Sequence, residues 1–136
     1  MATQGKYHWK MSDFHHLGTP EQNKIGVWLY FDQMFNDENW DAAKILAANS
    51  YTYNGKPTHS TVEDFVKSLH KKYQNFHLEV VDMVSEDDTV ALHWVVTAEL
   101  DGKPITTYGI NMLSGLVKDE KKRDISNWQG NGPPPE

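Results

Sequence analysis

The chain has 136 residues, 19 acidic against 13 basic, a net charge of -6, no cysteine and 12% aromatic residues. That length suits one domain and buries about two-thirds of the unfolded surface without staples. The acidic balance excludes the basic footprint that nucleic acid demands, and the missing cysteines exclude disulfides and thiolate chemistry and favour a cytoplasmic setting. No apolar run approaches the ~20 residues that span a bilayer.

Residues 1–20 are polar and irregular, with no continuous apolar core of the secretory type, and read as an N-terminal extension ahead of a domain at 21–130. Thr19-Pro20-Glu21-Gln22 opens a helix, since Thr19 can cap and Pro20 suits the first helical position. This helix runs to about Phe35. Ile25, Trp28, Leu29 and Asp32 form one stripe, and Val27, Phe31, Met34 and Phe35 an adjoining one, so most of its circumference is buried. Asn36 to Asn39 breaks it. Trp40 to Leu46 forms a short second helix ended by Asn49 and Ser50, and Tyr51-Thr52-Tyr53 is a short strand followed by a turn at Asn54-Gly55-Lys56-Pro57. Ser60-Thr61-Val62-Glu63 is a capping-box pattern opening a third helix with Val62, Phe65, Val66, Leu69 and Tyr73 on one face.

From Phe76 the period becomes two. Strands are expected at Phe76–Val84, Thr89–Leu100, Ile105–Leu113 and Arg123–Gln129, with Lys118 to Asp124 as a solvated, internally neutralised loop and 131–136 as a proline-rich tail. Helices ahead of a strand meander imply an α+β fold with the helices on one sheet face. Asp101-Gly102 is a tight-hairpin signal. With those two residues at the turn, Leu92 faces Asn111, Trp94 faces Gly109 and Val96 faces Thr107 on the apolar side, while His93, Val95 and Thr97 face Ile110, Tyr108 and Thr106 on the other.

Two residues break the apolar pattern. Asn111 is an amide on an apolar face, where it must find partners or cost a few kcal/mol. It is either a structural amide bonded to nearby backbone or a donor aimed into a pocket. Asp32 lies on an apolar helix stripe. Burial there raises its pKa and suits it to acid/base work; the alternative is a helix-edge position paired with a lysine. Gly109 opposite Trp94 leaves room for the indole or for a ligand above it. The seven histidines are scattered and show no His-Glu-x-x-His spacing, so no metal site is expected. No glycine-rich phosphate loop or nucleophile elbow is present.

The stretch from about Asn23 to Gly130 resembles the nuclear-transport-factor-2-like superfamily, especially its SnoaL-like branch. The resemblance is carried by Trp40-Asp41 after an aromatic first helix, Leu46 to Gly55, Ser60 to Phe65, Asp88 to Trp94, Asp101-Gly102-Lys103-Pro104 and Ile125-Ser126-Asn127-Trp128. It implies a curved antiparallel sheet wrapped around N-terminal helices, a cone-shaped pocket for a hydrophobic polyketide- or terpenoid-like ligand, and a homodimer joined through the outer sheet face. It further implies isomerisation, cyclisation or dehydration by acid/base chemistry without cofactor. Asp32 and Asn111 are the catalytic candidates, and Trp28, Phe31, Tyr53, Leu92, Trp94 and Trp128 the substrate-binding walls.

Family positions depart from their pattern. The ketosteroid isomerase tyrosine falls at Phe31, its base at Asn54 or Gly55, and its protonated aspartate at Asn111. The helix aspartate of scytalone dehydratase falls at Gln33. Gln129, Gly130 and Asn131 follow Trp128, where the cyclases keep an aspartate. These departures support an alternative, a non-catalytic binding or dimerisation domain of the same fold. An epoxide-hydrolysing relay would need an arginine, and the only one is Arg123.

Overall fold

The computed structural model describes residues 6–54, 56–57, 61–114 and 125–130, and of residues 43, 47–53, 57 and 125–130 the backbone alone. Helices α1 (Pro20–Leu29), α2 (Trp40–Leu46) and α3 (Val62–Lys72) accompany strands β1 (Ala47–Tyr53), β2 (Lys56–Pro57), β3 (Gln74–Glu86), β4 (Thr89–Leu100), β5 (Lys103–Ser114) and β6 (Ile125–Gly130). The strands form one sheet in the order β2-β1-β6-β5-β4-β3. Every pairing is antiparallel except β1 with β6, which is parallel and brings Tyr53 beside Trp128. This is the expected α+β architecture, with one parallel pairing added.

The β4–β5 register is the one expected from the Asp101-Gly102 turn: Leu92 opposite Asn111, Trp94 opposite Gly109 and Leu100 opposite Lys103. Asp101 and Gly102 both adopt positive φ, 53° and 79°, as a two-residue turn matched to strand twist requires. The inner face of β3, β4 and β5 buries Leu78, Val80, Met83, Val90, Leu92, Trp94 and Leu113 against Ile25, Leu29, Phe31, Met34 and Phe35 of the first helical segment. A bulge in β3 between Val80 and Asp82 lets Val80 and Met83 both reach the inner face.

Four local expectations are corrected. The first helix is not uniformly α: Tyr30–Asn36 widens into a π-helix, with Asp37 N–H reaching back to the Asp32 carbonyl. Periodicity misses this because the same apolar residues stay inward. The second helix stops at Leu46 and its successor strand starts at once with Ala47, so Asn49 and Ser50 are strand residues. α3 is capped by Thr61, whose hydroxyl accepts from Asp64 N–H, one position after the Ser60 that opens the expected capping box. β3 begins at Gln74 and its turn narrows to Asp87-Asp88, two residues that are both able to leave the strand region cheaply.

Residues 6–19 lie against α1 and β3. Leu17 is fully buried, and Tyr7, Trp9, Met11 and Phe14 pack on the core. Gly26 makes this approach possible, because a Cβ there would sit 2.8 Å from both Leu17 and Phe14. The Tyr7 hydroxyl donates to Asp82 and accepts from Met83 N–H, engaging β3 at its bulge. Among the described residues no helix is long and apolar enough to cross a membrane.

Candidate functional site

β5 enters the core carrying an alternation of small and polar groups: Gly109, Asn111, Leu113. Asn111 is only 2% exposed. Its Oδ1 accepts a hydrogen bond from Trp94 Nε1–H at 2.5 Å. The indole N–H can only donate, so the chemistry alone decides that the amide oxygen faces it. The indole reaches Asn111 by lying across Gly109. A Cβ at that glycine would stand 2.0 Å from a ring carbon. Asn111 is therefore satisfied at its oxygen by a side chain and not by backbone. Among the described residues nothing takes the Nδ2 protons. On β6 the residue opposite Asn111 is Gly130, which brings no side chain.

Asp32 sits in the π-helix, half-buried, and burial is the main reason its carboxyl is held above the usual carboxylate range. A hydrogen bond from Gln33 Nε2 at 3.1 Å works against that rise, the Asp37 charge adds to it, and His77 and Asn36 oppose it. No lysine pairs with it among the described residues, so the helix-edge ion pair weighed from sequence is absent. Its position follows from Asn36, whose side-chain amide donates to the Leu78 carbonyl at 2.8 Å and accepts from Leu78 N–H at 2.7 Å. That two-point clip docks the π-helix on the free edge of β3. His70 Nε2, donating to the Phe35 carbonyl at 2.6 Å, ties the same turn to α3.

The two polar candidates lie apart. Asp32 lies on the helical segment clipped to the β3 edge, Asn111 lies two strands away on β5, and no hydrogen bond among the described residues joins them. Around Asn111 the structure gathers Trp94 and Leu92, both buried. Phe31 is buried in an aromatic cluster with Tyr30 and Phe35, at ring separations of 5.3 and 5.0 Å. Trp28 is partly buried and meets Trp9 edge-on at 5.9 Å, so it faces the N-terminal segment. The Tyr53 and Trp128 side chains lie outside the described residues, as do His59, Ser60 and the Lys118–Asp124 loop. The indole-to-amide bond was the feature not anticipated from sequence. Its signal was available, since Asn111 is the same-face diagonal neighbour of Trp94 in the expected register. Among the described residues no group of three or more His, Asp or Glu could hold a metal ion.

The fold is similar to that of a SnoaL-like polyketide cyclase from Agrobacterium tumefaciens strain C58, with a TM-score of 0.65 at 11% identity over 85% of this chain and 91% of that one. A candidate polyketide cyclase of Acidithiobacillus ferrooxidans gives a TM-score of 0.64 at 16% identity, covering 80% of this chain and 86% of the other. A hypothetical protein of Catenulispora acidiphila with a ketosteroid isomerase-like fold, in complex with trimethylamine, gives 0.61 at 15% identity over 84% and 87%. At such identities these structures establish the shared fold. No curated protein matches the chain. Residues 26–110, from the glycine of α1 to the middle of β5, match the family described as SnoaL-like polyketide cyclase, and the chain belongs to that family.

Proposed function

We propose that the protein is a cofactor-independent enzyme that isomerises, cyclises or dehydrates a hydrophobic polyketide- or terpenoid-like compound, with Asn111 polarising a carbonyl oxygen and Asp32 moving the proton. The observation that carries this reading is the Asn111 amide, buried among apolar side chains with its oxygen engaged and its NH2 group untaken among the described residues. The NH2 group carries two donors, which a ligand oxygen would take in addition to the bond already made at Oδ1. Asp32 supports the reading because burial raises the proton affinity of its carboxylate and so makes it a stronger base. Polarising the carbonyl acidifies the adjacent C–H. A carboxylate can then take that proton and return it elsewhere in the substrate, so no electron acceptor is needed.

A second reading is favoured by one observation: no hydrogen bond among the described residues joins Asp32 to Asn111. A binding domain would need the amide and the apolar walls but no proton carrier. The two readings separate on a panel of apolar β-diketones and cyclic enones, followed by absorbance with wild-type protein, Asp32→Asn and Asn111→Leu. The enzyme reading expects turnover that falls by roughly a hundredfold or more in each variant, the usual worth of a positioned acid/base or oxyanion donor. Tight binding across the panel with no turnover in the wild type would leave only the binding domain.

The outer sheet face carries Val84, Tyr108, Ile110 and Met112, which are 68%, 64%, 62% and 45% exposed. A shallow groove between Asp82, Val84, Ala91, His93 and Ile110 lies among them. We assign this face to a second copy of the chain, since flat, mostly uncharged sheet faces can pair with themselves about a two-fold axis.

A further inference from the structure

We infer that Trp94 is the positioning residue of the site: its indole N–H selects one of the two amide orientations of Asn111 and so decides which end is offered to a ligand. This deepens the functional reading above, on which the ligand's role rests, but it concerns a different residue and a different measurement.

A buried asparagine side chain has two nearly isosteric orientations, which exchange an acceptor for a donor. The inner face of β4 and β5 offers Asn111 one strong partner, the Trp94 Nε1–H at 2.5 Å. That group donates and never accepts, so the flipped amide would set two donors against each other inside the core, with the penalty of two unsatisfied buried groups. The orientation is thus locked, with Oδ1 turned toward β4 and Nδ2 turned away from the indole. Two glycines serve the lock. Gly109 supplies the seat, because any Cβ there would run into the ring at 2.0 Å, and the flat indole fills the space that a side chain would take. Gly130, opposite Asn111 on β6, leaves the neighbouring position without a side chain. The end turned away from the indole then carries donors only, suited to a carbonyl or enolate oxygen and unsuited to an ammonium proton. Ligand selectivity at this point is set by Trp94, which need not touch the ligand.

The test uses 15N-labelled protein without ligand. The Asn111 side-chain NH2 pair is assigned by its loss in Asn111→Leu, and the Trp94 indole resonance by its loss in Trp94→Phe. The expected result is a single, well-dispersed NH2 pair in wild type that shifts and broadens in Trp94→Phe as both orientations become populated. Indole N–H exchange with deuterium should accelerate roughly tenfold in Asn111→Leu, the upper worth of one ordinary hydrogen bond. Asn111→Asp, read at acidic pH where the buried carboxyl is protonated and neutral, keeps an acceptor for the indole, so its indole exchange should stay slower than in Asn111→Leu. That variant also provides the comparison if Trp94→Phe fails to fold. An NH2 pair that ignores Trp94→Phe, or an indole exchange rate equal in wild type and Asn111→Leu, would overturn the assignment. Adding 2-cyclohexenone afterwards addresses the functional reading separately: the positioning of Asn111 is decided on the free protein, whereas a ketone that binds without moving the NH2 pair counts against the proposed role of Asn111 alone.

Discussion

The two faces of the β4–β5 hairpin are built from alternate residues of the same segments, yet they depart from convention in opposite ways. The inner face is apolar and contains one buried polar side chain, the Asn111 amide, only 2% exposed. The outer face is open among the described residues and carries the reverse, large apolar side chains such as Tyr108 and Ile110 that are 64% and 62% exposed. A polar group in an apolar layer must be matched by something polar, and the Trp94 indole does this at the amide oxygen. An apolar patch facing water calls for something broad and apolar, which points to another protein surface. On the functional reading proposed above, the pleat of the strands would keep ligand binding and association on opposite faces, and substitutions on the two faces should have separable effects.

The largest expected effect is on the inner face. Gly109→Val would place branched carbons where the indole lies, and the ring cannot yield without abandoning Asn111. Overpacking of this kind costs about 3 kcal/mol or more, which for a domain of this size lowers Tm by about 10 °C. Calorimetry checks the stability, and the oligomeric state of the folded fraction should be unchanged. A Gly109→Val protein as stable as wild type would mean that the inner layer is loosely packed and the lock at Asn111 is not rigid.

The next effect belongs to the outer face. Tyr108→Glu puts a charge in the middle of the patch while leaving every inner contact intact, since Tyr108 pairs across to Val95 and meets the His93 ring at 6.5 Å. Burying an unpaired charge or losing a tyrosine at the centre of an interface costs about 2 kcal/mol, so dimer dissociation should become about thirtyfold easier. Sedimentation at matched concentrations reads this directly, with thermal stability of the subunit fold as the control. Identical sedimentation of wild type and variant would remove the second copy from this face.

How far these faces were legible in advance depends on how local the deciding interaction is. The hairpin register, and with it every inward and outward assignment on β4 and β5, follows from two turn residues, because side-chain direction has a strict period of two. The α3 cap slipped by one residue because Ser60 and Thr61 are both good caps and only the path of the preceding chain chooses between them. The parallel β1–β6 pairing joins residues 75 or more positions apart, which no local pattern encodes. The π-helix keeps Phe31, Met34 and Phe35 buried as an α-helix would, so their stripe reads the same either way. The candidate site divides in the same manner. Asn111 and Asp32 stood out as polar residues in apolar stripes, but their partners, Trp94 on a diagonal and Asn36 clipped to β3, depend on packing between elements.

Asp32 belongs to neither face. It sits at the β3 edge where the helices meet the sheet, and it yields the smallest expected effect. Burial raises its carboxyl pKa in the folded protein above the ordinary value of 3.8. The folded state therefore holds the proton more tightly than the unfolded chain does. Below 3.8 both states are protonated and there is no penalty. As pH rises from there through the raised folded value, the unfolded chain ionises first and stability falls, after which the penalty stays constant. Asp32→Asn removes this dependence. The variant should resemble wild type in acid and be modestly more stable near neutral pH, the gain appearing across the window between the two pKa values. Denaturant midpoints at a series of pH values check it. A variant less stable than wild type at neutral pH would mean that Asp32 is held by favourable contacts of its ionised form, and would remove it as the proton carrier paired with Asn111.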